Sequence, residues 1–326
     1  MKHISEYLDQ VALYRGLKKE TGRDRSGRLN YPHSVNEILF RALGYILLFV
    51  FGMMCVIPFY LIGVSSFAKE SSLIRYGFRL IPKELSLEAY QLVFTNPGRI
   101  GRAYMNTIFT TIIGTALSLF LTTVTGYVLS RRDFKWSNEF SFFFFFTTLF
   151  SGGLIPWYIL CTQTLHFKNT YFALILPMAF PVWNMIIAKN YMKGIPYEIS
   201  ESAKMDGAGE LTIYFKLYLP IAKPLLATLG LFAALGYWND WYNSMLFSTK
   251  EEMQSLQYFL QDMLSTIQAL KQLIAEGNMD AAENISLPTT SMRMAMTCVA
   301  TGPIIFLYPV VQRYFIKGLT IGAVKG

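Results

Sequence analysis

Residues 201–220 read ESAKMDGAGELTIYFKLYLP, and this small charged segment lies between two long apolar stretches. The stretches 169–188 and 224–239 contain no Asp, Glu, Lys or Arg. A bilayer with a hydrocarbon core of about 30 Å needs roughly 20 apolar residues of helix to cross it. The segment is therefore predicted to connect two membrane-spanning helices.

Further windows without charged residues extend this pattern along the chain, at 42–68, 103–130, 140–167 and 294–312. Only 15% of the 326 residues are charged and 53% are hydrophobic, whereas soluble domains usually carry about 25% charged residues. A membrane β-barrel would show alternating segments instead. We predict an all-α integral membrane protein with six transmembrane helices. The predicted spans cover about 39–64, 103–129, 140–161, 171–188, 221–247 and 294–314.

The distribution of basic residues predicts the orientation. The segments 1–41, 130–139, 189–223 and the tail from Arg313 together carry the whole formal charge excess of +8. Since Lys and Arg favour the cytoplasmic side of a membrane, we expect these segments inside the cell. The chain then has a cytoplasmic extension 1–38, a six-helix membrane domain 39–314 with a cytoplasmic loop 189–220, and a cytoplasmic tail 315–326. This charge pattern gives no reason to expect nucleic-acid binding.

Catalytic and metal-binding patterns are not found in the sequence. No Gly-Lys pair ends a phosphate-binding loop, and the three histidines have no ligand partner at a suitable spacing. The three cysteines form no CxxC pair, so neither a metal site nor a disulfide framework is expected. Apart from Asp240, the spans lack the ionisable groups that ion-driven carriers place in the membrane. We expect a transport passage that is not an enzyme and receives its energy from another protein.

The loop 201–220 and the residues just before it are predicted to form two short helices. Pro196 suits the first turn of a helix over 196–205, and Asp206-Gly207 interrupts it, since glycine readily adopts a positive φ. A second helix over 210–219 would place one apolar stripe on its surface, made of Leu211, Tyr214, Phe215 and Tyr218. From composition alone, the pair could be a cytoplasmic docking element or a hairpin lying on the membrane surface.

The same segment resembles the EAA loop of ABC importer permeases, in which Glu-Ala-Ala is followed by a glycine and then by Ile-x-Leu-Pro. Residues at the matching positions are Glu201, Ser202, Ala203, Gly207, Leu217, Leu219 and Pro220, with Ser202 and Leu217 in place of the usual Ala and Ile. The stretches FSGGLIPWYIL, LPMAFPVWNMIIAKNYMKGIP, GYWNDWYN and GLTIGAVKG are similar to the LplC/YtcP-type branch of the carbohydrate-uptake permeases, relatives of the maltose permease MalG.

This resemblance implies a type I ABC importer permease fold in a bacterial cell membrane. It further implies a homologous second permease subunit, two ABC ATPase subunits that bind ATP and Mg, and an extracellular solute-binding lipoprotein; no cofactor is expected on this chain. The residues expected to couple to the ATPase are Glu201, Ser202, Ala203, Asp206, Gly207, Ala208, Leu217, Leu219 and Pro220. In the tail, the expected ATPase contacts are Gly318, Val324, Lys325 and Gly326.

A solute pathway is predicted where aromatic rings stand beside amide and carboxylate groups, because rings stack on sugar C–H faces while amides bind hydroxyls. The candidates are Trp183, Asn184, Tyr237, Trp238, Asn239, Asp240 and Trp241. On a continuous helix, Tyr237, Asp240, Trp241 and Ser244 would share one face. The alternative is an aromatic belt at the membrane interface.

Four arginines of the predicted outer loops, Arg75, Arg79, Arg99 and Arg102, would favour acidic sugars unless they are merely solvated. The leading hypothesis is an importer subunit for oligosaccharides, including those that contain uronic acids. The alternatives are a permease-like sensor or signalling subunit and an importer for a solute other than a sugar.

Overall fold

The computed structural model describes residues 35–277 and 290–305. Within these ranges the chain is helical and forms no β-strand beyond an isolated antiparallel bridge between Ala68 and Leu85. The chain divides into two compact units, Met1–Leu61 and Ile62–Gly326. Most of the predicted extension 1–38, the part of the predicted sixth span beyond residue 305, and the tail 315–326 lie outside the described residues.

Helix α1 (Val35–Ser65) supplies the described part of the first unit and runs to the start of the second. Its segment Leu39–Ser65 has a mean hydropathy of 2.5 and is long enough to cross a bilayer. No charged residue follows Arg41 within the helix. The structure therefore has a membrane-crossing candidate where the first span was predicted.

The second unit contains the remaining helices. In chain order they are α2 (Glu70–Tyr76), α3 (Glu88–Val93), α4 (Pro97–Ser130), α5 (Ser137–Leu149), α6 (Leu154–Ile159), α7 (Tyr171–Ile175), α8 (Val182–Lys193), α9 (Glu198–Met205), α10 (Glu210–Ile213), α11 (Leu219–Ile221), α12 (Lys223–Trp238), α13 (Tyr242–Phe247), α14 (Leu256–Gly277) and α15 (290–305).

Helix α4 is the central helix of this unit and packs most extensively against α8 and α12. It has 34 residues and begins with a proline in its first turn, where the missing N–H costs no intrahelical hydrogen bond. Glycines allow its close contacts. A Cβ on Gly126 would lie 2.8 Å from the Cβ of Ala188, and a Cβ on Gly114 would lie 2.4 Å from the ring of Tyr237. Both contacts require a residue without a side chain on α4.

Two predicted spans coincide with bent pairs of helices, and a third bent pair joins the second half of the loop 189–220 to the first part of the predicted fifth span. The axes of Ser137–Leu149 and Leu154–Thr164 differ by 110°, those of Tyr171–Met178 and Val182–Lys193 by 48°, and those of Glu210–Ile221 and Lys223–Trp238 by 83°. By length and composition, the described residues contain two helices that can cross a membrane, or up to five if each bent pair is one span. The sixth span stays a prediction.

Two apolar clusters lie near the two ends of α4. The first surrounds its beginning and draws on α3, α14 and α15, with Val93, Leu256, Phe259 and Met292 almost fully buried. The second surrounds its end and draws on α8 and the region of α10 to α12. Each cluster fixes a loop region against one end of α4. The loop 201–220 adjoins the second cluster and Trp238 belongs to the first, whereas the predicted tail contacts Gly318, Val324, Lys325 and Gly326 lie outside the described residues.

Candidate functional site

The first half of the loop 189–220 has the predicted form. Helix α9 ends at Met205, and Gly207 then adopts a φ of +79°, a left-handed conformation that glycine accepts without strain. Backbone hydrogen bonds close the turn, since the N–H of Gly207 donates to Lys204 O at 3.0 Å and that of Ala208 donates to Ala203 O at 2.9 Å. The predicted interruption at Asp206-Gly207 is confirmed.

The second half of the loop differs from the prediction. Helix α10 passes into a π-helical turn over Tyr214–Tyr218 before α11 begins. Tyr214 and Tyr218 are buried, whereas Leu211 is 74% exposed and Phe215 51% exposed. The predicted four-residue apolar stripe is therefore wrong. In a π-helical turn the hydrogen bonds join residues five apart, which rotates later side chains away from the positions of a regular α-helix.

A buried arginine joins the end of α4 to both short helices of the loop. The side chain of Arg131 is only 5% exposed. Its Nη1 donates to Ser200 Oγ of α9 at 2.8 Å, and its Nη2 donates to Glu210 Oε1 of α10 at 3.3 Å. The same guanidinium donates to both carboxylate oxygens of Asp133, at 3.2 and 3.0 Å. This two-pronged geometry orients the carboxylate as well as neutralising it.

Further polar contacts surround this arginine. Lys204 Nζ lies 2.9 Å from Asp133 Oδ2 and 2.8 Å from Glu210 Oε1. The hydroxyl of Tyr127 donates to Glu210 Oε2 at 2.6 Å. Arg131 and Lys204 thus each contact both carboxylates, Asp133 and Glu210. We call the set the Arg131 network; its members are Tyr127, Arg131, Asp133, Ser200, Lys204 and Glu210.

These contacts also determine protonation. Hydrogen bonds from Arg131 and Lys204 lower the pKa of Asp133 to about 2. Hydrogen bonds to Glu210 and Asp133 raise the pKa of Lys204 above its ordinary value. Because each group is stabilised in its charged form, both side chains are charged at neutral pH.

Aromatic side chains support the network from the protein interior. The ring centroid of Tyr127 lies 4.8 Å from that of Tyr218 and 5.3 Å from that of Tyr214. The hydroxyl of Tyr214 is 2.8 Å from Thr123 Oγ1, and that of Tyr218 is 3.0 Å from Ser200 Oγ. Both buried hydroxyls therefore have partners, as buried polar groups require. The loop is attached to α4 by packing and by polar contacts together.

The predicted coupling residues lie around this anchored base. Glu201, Ser202, Asp206, Gly207 and Pro220 are exposed, while Ala203, Ala208, Leu217 and Leu219 are half-buried.

Two features of this region were not among the predicted site residues. Met205 is 83% exposed and stands between the predicted residues Ala203 and Asp206, and Arg131 anchors the loop from outside it. The signal for Arg131 was present in the sequence, because Ser130-Arg131-Arg132-Asp133 follows directly on a charge-free span. Charge at the end of a span predicts orientation, but it does not reveal that one of two adjacent arginines is buried.

The predicted solute-pathway residues do not form one site. Tyr237 and Trp238 are buried, and their polar atoms are bonded within the chain, to Ile175 O at 2.7 Å and Ala300 O at 3.0 Å. Asn184 is also buried, whereas Trp183 is 69% exposed.

The expected common face of Tyr237, Asp240 and Trp241 is wrong because α12 ends at Trp238. Asp240 instead accepts hydrogen bonds from the backbone N–H and the side-chain Nδ2 of Asn243, both at 3.1 Å, at the start of α13. Asn239 and Trp241 are exposed at this helix break.

At the beginning of α4, a buried amide holds the segment between α13 and α14. Asn106 Nδ2 donates to Glu252 O at 2.6 Å and to Gln254 O at 3.1 Å, and Asn106 Oδ1 accepts from the Tyr171 hydroxyl at 2.8 Å. We call this set, with the bond of 2.8 Å from Leu256 N to Thr107 Oγ1, the Asn106 network.

Two of the predicted outer arginines form ion pairs close to the Asn106 network. Arg99 lies 3.5 Å from Glu251 and 3.7 Å from Asp262, and Arg102 lies 3.4 Å from Glu252. An open pocket of about 880 Å³ lies among these side chains. Arg99 and Arg102 therefore already have carboxylate partners within the chain.

Comparison with known proteins identifies the family. No family model matches the chain. Protein LplC of Bacillus subtilis is 39% identical over 275 residues, covering 84% of this chain and 91% of the relative. The polygalacturonan/rhamnogalacturonan transport system permease protein YtcP of the same species is 37% identical over 289 residues, covering 88% of this chain and 99% of that protein. The chain belongs to the sugar ABC transporter permeases.

A solved structure agrees with this assignment. The permease resembles a chain of a bacterial ABC transporter involved in the import of the acidic polysaccharide alginate, with a TM-score of 0.69 and 28% identity. The match covers 88% of this permease and all of that chain. This permease is an all-α integral membrane protein with the ABC importer permease fold.

Proposed function

We propose that this permease is the membrane subunit of a binding-protein-dependent importer for oligosaccharides that carry uronate groups. It would pair with a homologous second permease, receive solute from an extracellular binding lipoprotein, and be driven by two ABC ATPase subunits that bind ATP and Mg. Its termini and the loop 189–220 would face the cytoplasm. The chain itself would carry no catalytic residue.

The observation that carries the coupling role is the anchoring of the exposed loop by the Arg131 network. A docking element must be accessible to its partner and must also transmit force to a spanning helix. Glu201 and Asp206 offer charge, and Met205 offers exposed apolar surface next to them. Behind them, Arg131 bonds both short helices to the end of α4. Displacement of the loop by an ATPase would therefore move α4.

Two of the similar proteins support the proposed substrate class. YtcP is named for polygalacturonan and rhamnogalacturonan, and the structural neighbour belongs to a transporter for the acidic polysaccharide alginate. Polygalacturonan is a polymer of a uronic acid, so both proteins handle carboxylated sugars. In this permease, Asn239, Trp241 and Trp183 remain pathway candidates because their side chains are exposed.

The coupling proposal is tested by substitutions on the exposed side of the loop. We expect Glu201→Lys and Gly207→Asp to abolish ATP-dependent uptake by the assembled importer while the protein still inserts into the membrane. A Cβ on Gly207 would meet no atom within 4 Å, although a φ of +79° strains any residue other than glycine. Asp tolerates a positive φ better than most residues, so we expect the strain to be confined to this exposed turn. The measurement is uptake of labelled oligosaccharide together with recovery of the ATPase in a pull-down.

Glu201→Gln is the matched control, because it keeps the size of the side chain and removes its negative charge, whereas Glu201→Lys reverses the charge. We expect it to retain the ATPase and most of the uptake. Normal uptake by both Glu201→Lys and Gly207→Asp would show that the loop is not the coupling element. ATP hydrolysis stimulated by the binding protein without movement of any labelled solute would instead indicate a sensor subunit.

A further inference from the structure

A second pocket lies at the end of α12 that is farther from the loop 201–220. It has a volume of about 320 Å³ and is open to one side. Its polar lining comes from Asn239 at the end of α12, Gln257 and Gln261 of α14, and Arg293, Thr297 and Thr301 of α15. Ligand sites usually occupy roughly 300–1,000 Å³, so this pocket suits one small group of a longer molecule.

The pocket combines a buried apolar surface with a polar margin. Leu260, Met296 and Ala300 line it and are between 5% and 8% exposed. The amides and hydroxyls of the lining, in contrast, are exposed or half-buried. A sugar ring has the same division, because its C–H faces are apolar and its hydroxyls point outward. A few placed polar groups on an apolar surface are typical of small-molecule sites.

The helices around the pocket are joined to one another. Trp238 Nε1 donates to Ala300 O at 3.0 Å, which ties the end of α12 to α15. Gln257 Nε2 lies 3.5 Å from Asn239 Oδ1, so α14 approaches the same point. The hydroxyl of Thr297 donates to Arg293 O at 2.8 Å and keeps a lone pair available as an acceptor. The pocket is therefore formed by contacts within this chain.

Arg293 gives the pocket its charge. Among the side chains that the structure describes, at 39–270, 272 and 290–305, no carboxylate forms an ion pair with Arg293, whereas Arg99 and Arg102 both have such partners. A guanidinium carries donors in a planar fork that matches the two oxygens of a carboxylate. Such charge-assisted pairs are stronger than bonds between neutral groups.

We propose that this pocket binds one uronate residue of the transported oligosaccharide, with Arg293 pairing to its carboxylate and the amides of Asn239, Gln257 and Gln261 binding its hydroxyls. The inference rests on the proposed function and assigns its substrate class to particular side chains. The pocket is at the end of α12 opposite the Arg131 network, so it would face the side from which a binding protein delivers solute.

The test compares an acidic probe with its neutral form. Trigalacturonate and its methyl ester, in which all three carboxyl groups are esterified, have the same sugar rings, but only the first carries carboxylates. In liposomes that contain the assembled importer with its binding protein, we expect Arg293→Gln to lower uptake of trigalacturonate about tenfold, the factor expected for loss of one charge-assisted pair. Uptake of the methyl ester should stay unchanged, and Arg293→Lys should restore part of the acidic uptake.

Lys168→Gln is the control, since Lys168 is an exposed cation outside the pocket and its loss should leave both uptake rates unchanged. Equal effects of Arg293→Gln on the two probes, or no effect on either, would overturn the assignment of Arg293 while leaving the proposed function intact. If the unaltered importer moves the methyl ester but not trigalacturonate, the acidic substrate class fails and the site assignment fails with it. ATPase stimulation by the binding protein separates a transport defect from a failure to assemble.

Discussion

The two ends of α4 hold their neighbouring loops by different chemistry. At its end, the Arg131 network uses two cations and two carboxylates to hold α9 and α10. At its beginning, the Asn106 network uses a neutral amide and hydroxyls, largely against backbone carbonyl and N–H groups. Ion pairs of Arg99 and Arg102 with Glu251, Glu252 and Asp262 lie beside the Asn106 network at more exposed positions. The buried contacts are therefore ionic at one end of the helix and neutral at the other.

The difference follows from the solvent exposure of the polar side chains in each network. Asp133 and Glu210 are about half exposed, so hydration offsets much of the cost of keeping them charged. Asn106 and Thr107 are 6% and 0% exposed, and a charge at these positions would lose its hydration. Arg131 can stay charged because its carboxylate partners reach solvent, whereas the fully buried contacts of Asn106 and Thr107 use paired neutral groups.

The largest expected effect comes from removing the arginine. Arg131→Ala leaves Asp133 and Glu210 with one cation fewer and empties a buried site. Breaking a buried ion pair costs about 3–5 kcal/mol. Because the two carboxylates are half exposed, we expect Arg131→Ala to lower the free energy of unfolding by about 3 kcal/mol. ATP-dependent uptake should fall more than the amount of protein in the membrane. Unfolding in detergent and uptake by the assembled importer measure the two effects.

Arg132→Ala is the control for this substitution. Arg132 is exposed, and its guanidinium carbon lies 5.2 Å from the ring centroid of Tyr197, a contact that contributes about 0.5–1 kcal/mol at such sites. Equal losses of stability and uptake for the two variants would show that the buried position of Arg131 has no special role.

A smaller effect is expected at the other end of α4. Asn106→Ala removes the donor to two backbone carbonyls and the acceptor of the Tyr171 hydroxyl, and unsatisfied buried groups cost about 1–3 kcal/mol. We expect about 2 kcal/mol of lost stability with no loss of ATPase in a pull-down. Tyr171→Phe, which removes only one of these bonds, should cost less. Loss of ATPase binding by Asn106→Ala would contradict the separation between the two ends.

The class of fold could be predicted because charge-free windows of about 20 residues are typical of membrane-spanning helices and rare in soluble domains. The interruption at Gly207 could also be predicted, since a glycine after an Asp is a local turn signal. The bends between helices could not be predicted from the sequence. The axis change of 110° between α5 and the helix that starts at Leu154 depends on packing that no local pattern records.

The site was predicted less completely than the fold. The exposed face of the loop follows from a motif, but the burial of Tyr214 and Tyr218 depends on a π-helical turn that helical periodicity does not reveal. Tyr237 and Trp238 have the composition of a sugar site, yet their partners are Ile175 and Ala300, about sixty residues away in the chain. Composition indicates which groups could bind a solute, whereas long-range packing decides which of them are already used.

The smallest expected effect is a dependence of stability on pH that the Arg131 network has and the Asn106 network lacks. The pKa of Asp133 is lowered from 3.8 to about 2, so its contribution is complete above pH 3.8 and is lost as the pH falls towards 2. We expect Asp133→Asn to lower the melting temperature at pH 7 and pH 5 equally, with the difference shrinking between pH 4 and pH 2. The destabilisation at pH 7 should correspond to less than about 1 kcal/mol in the free energy of unfolding, because solvent screens a half-exposed carboxylate.

Asn106→Ala is the control. The cost of Asn106→Ala should not change over this range, since an amide does not titrate. A difference for Asp133→Asn that persists unchanged to pH 2 would mean that its charge contributes nothing to holding the loop.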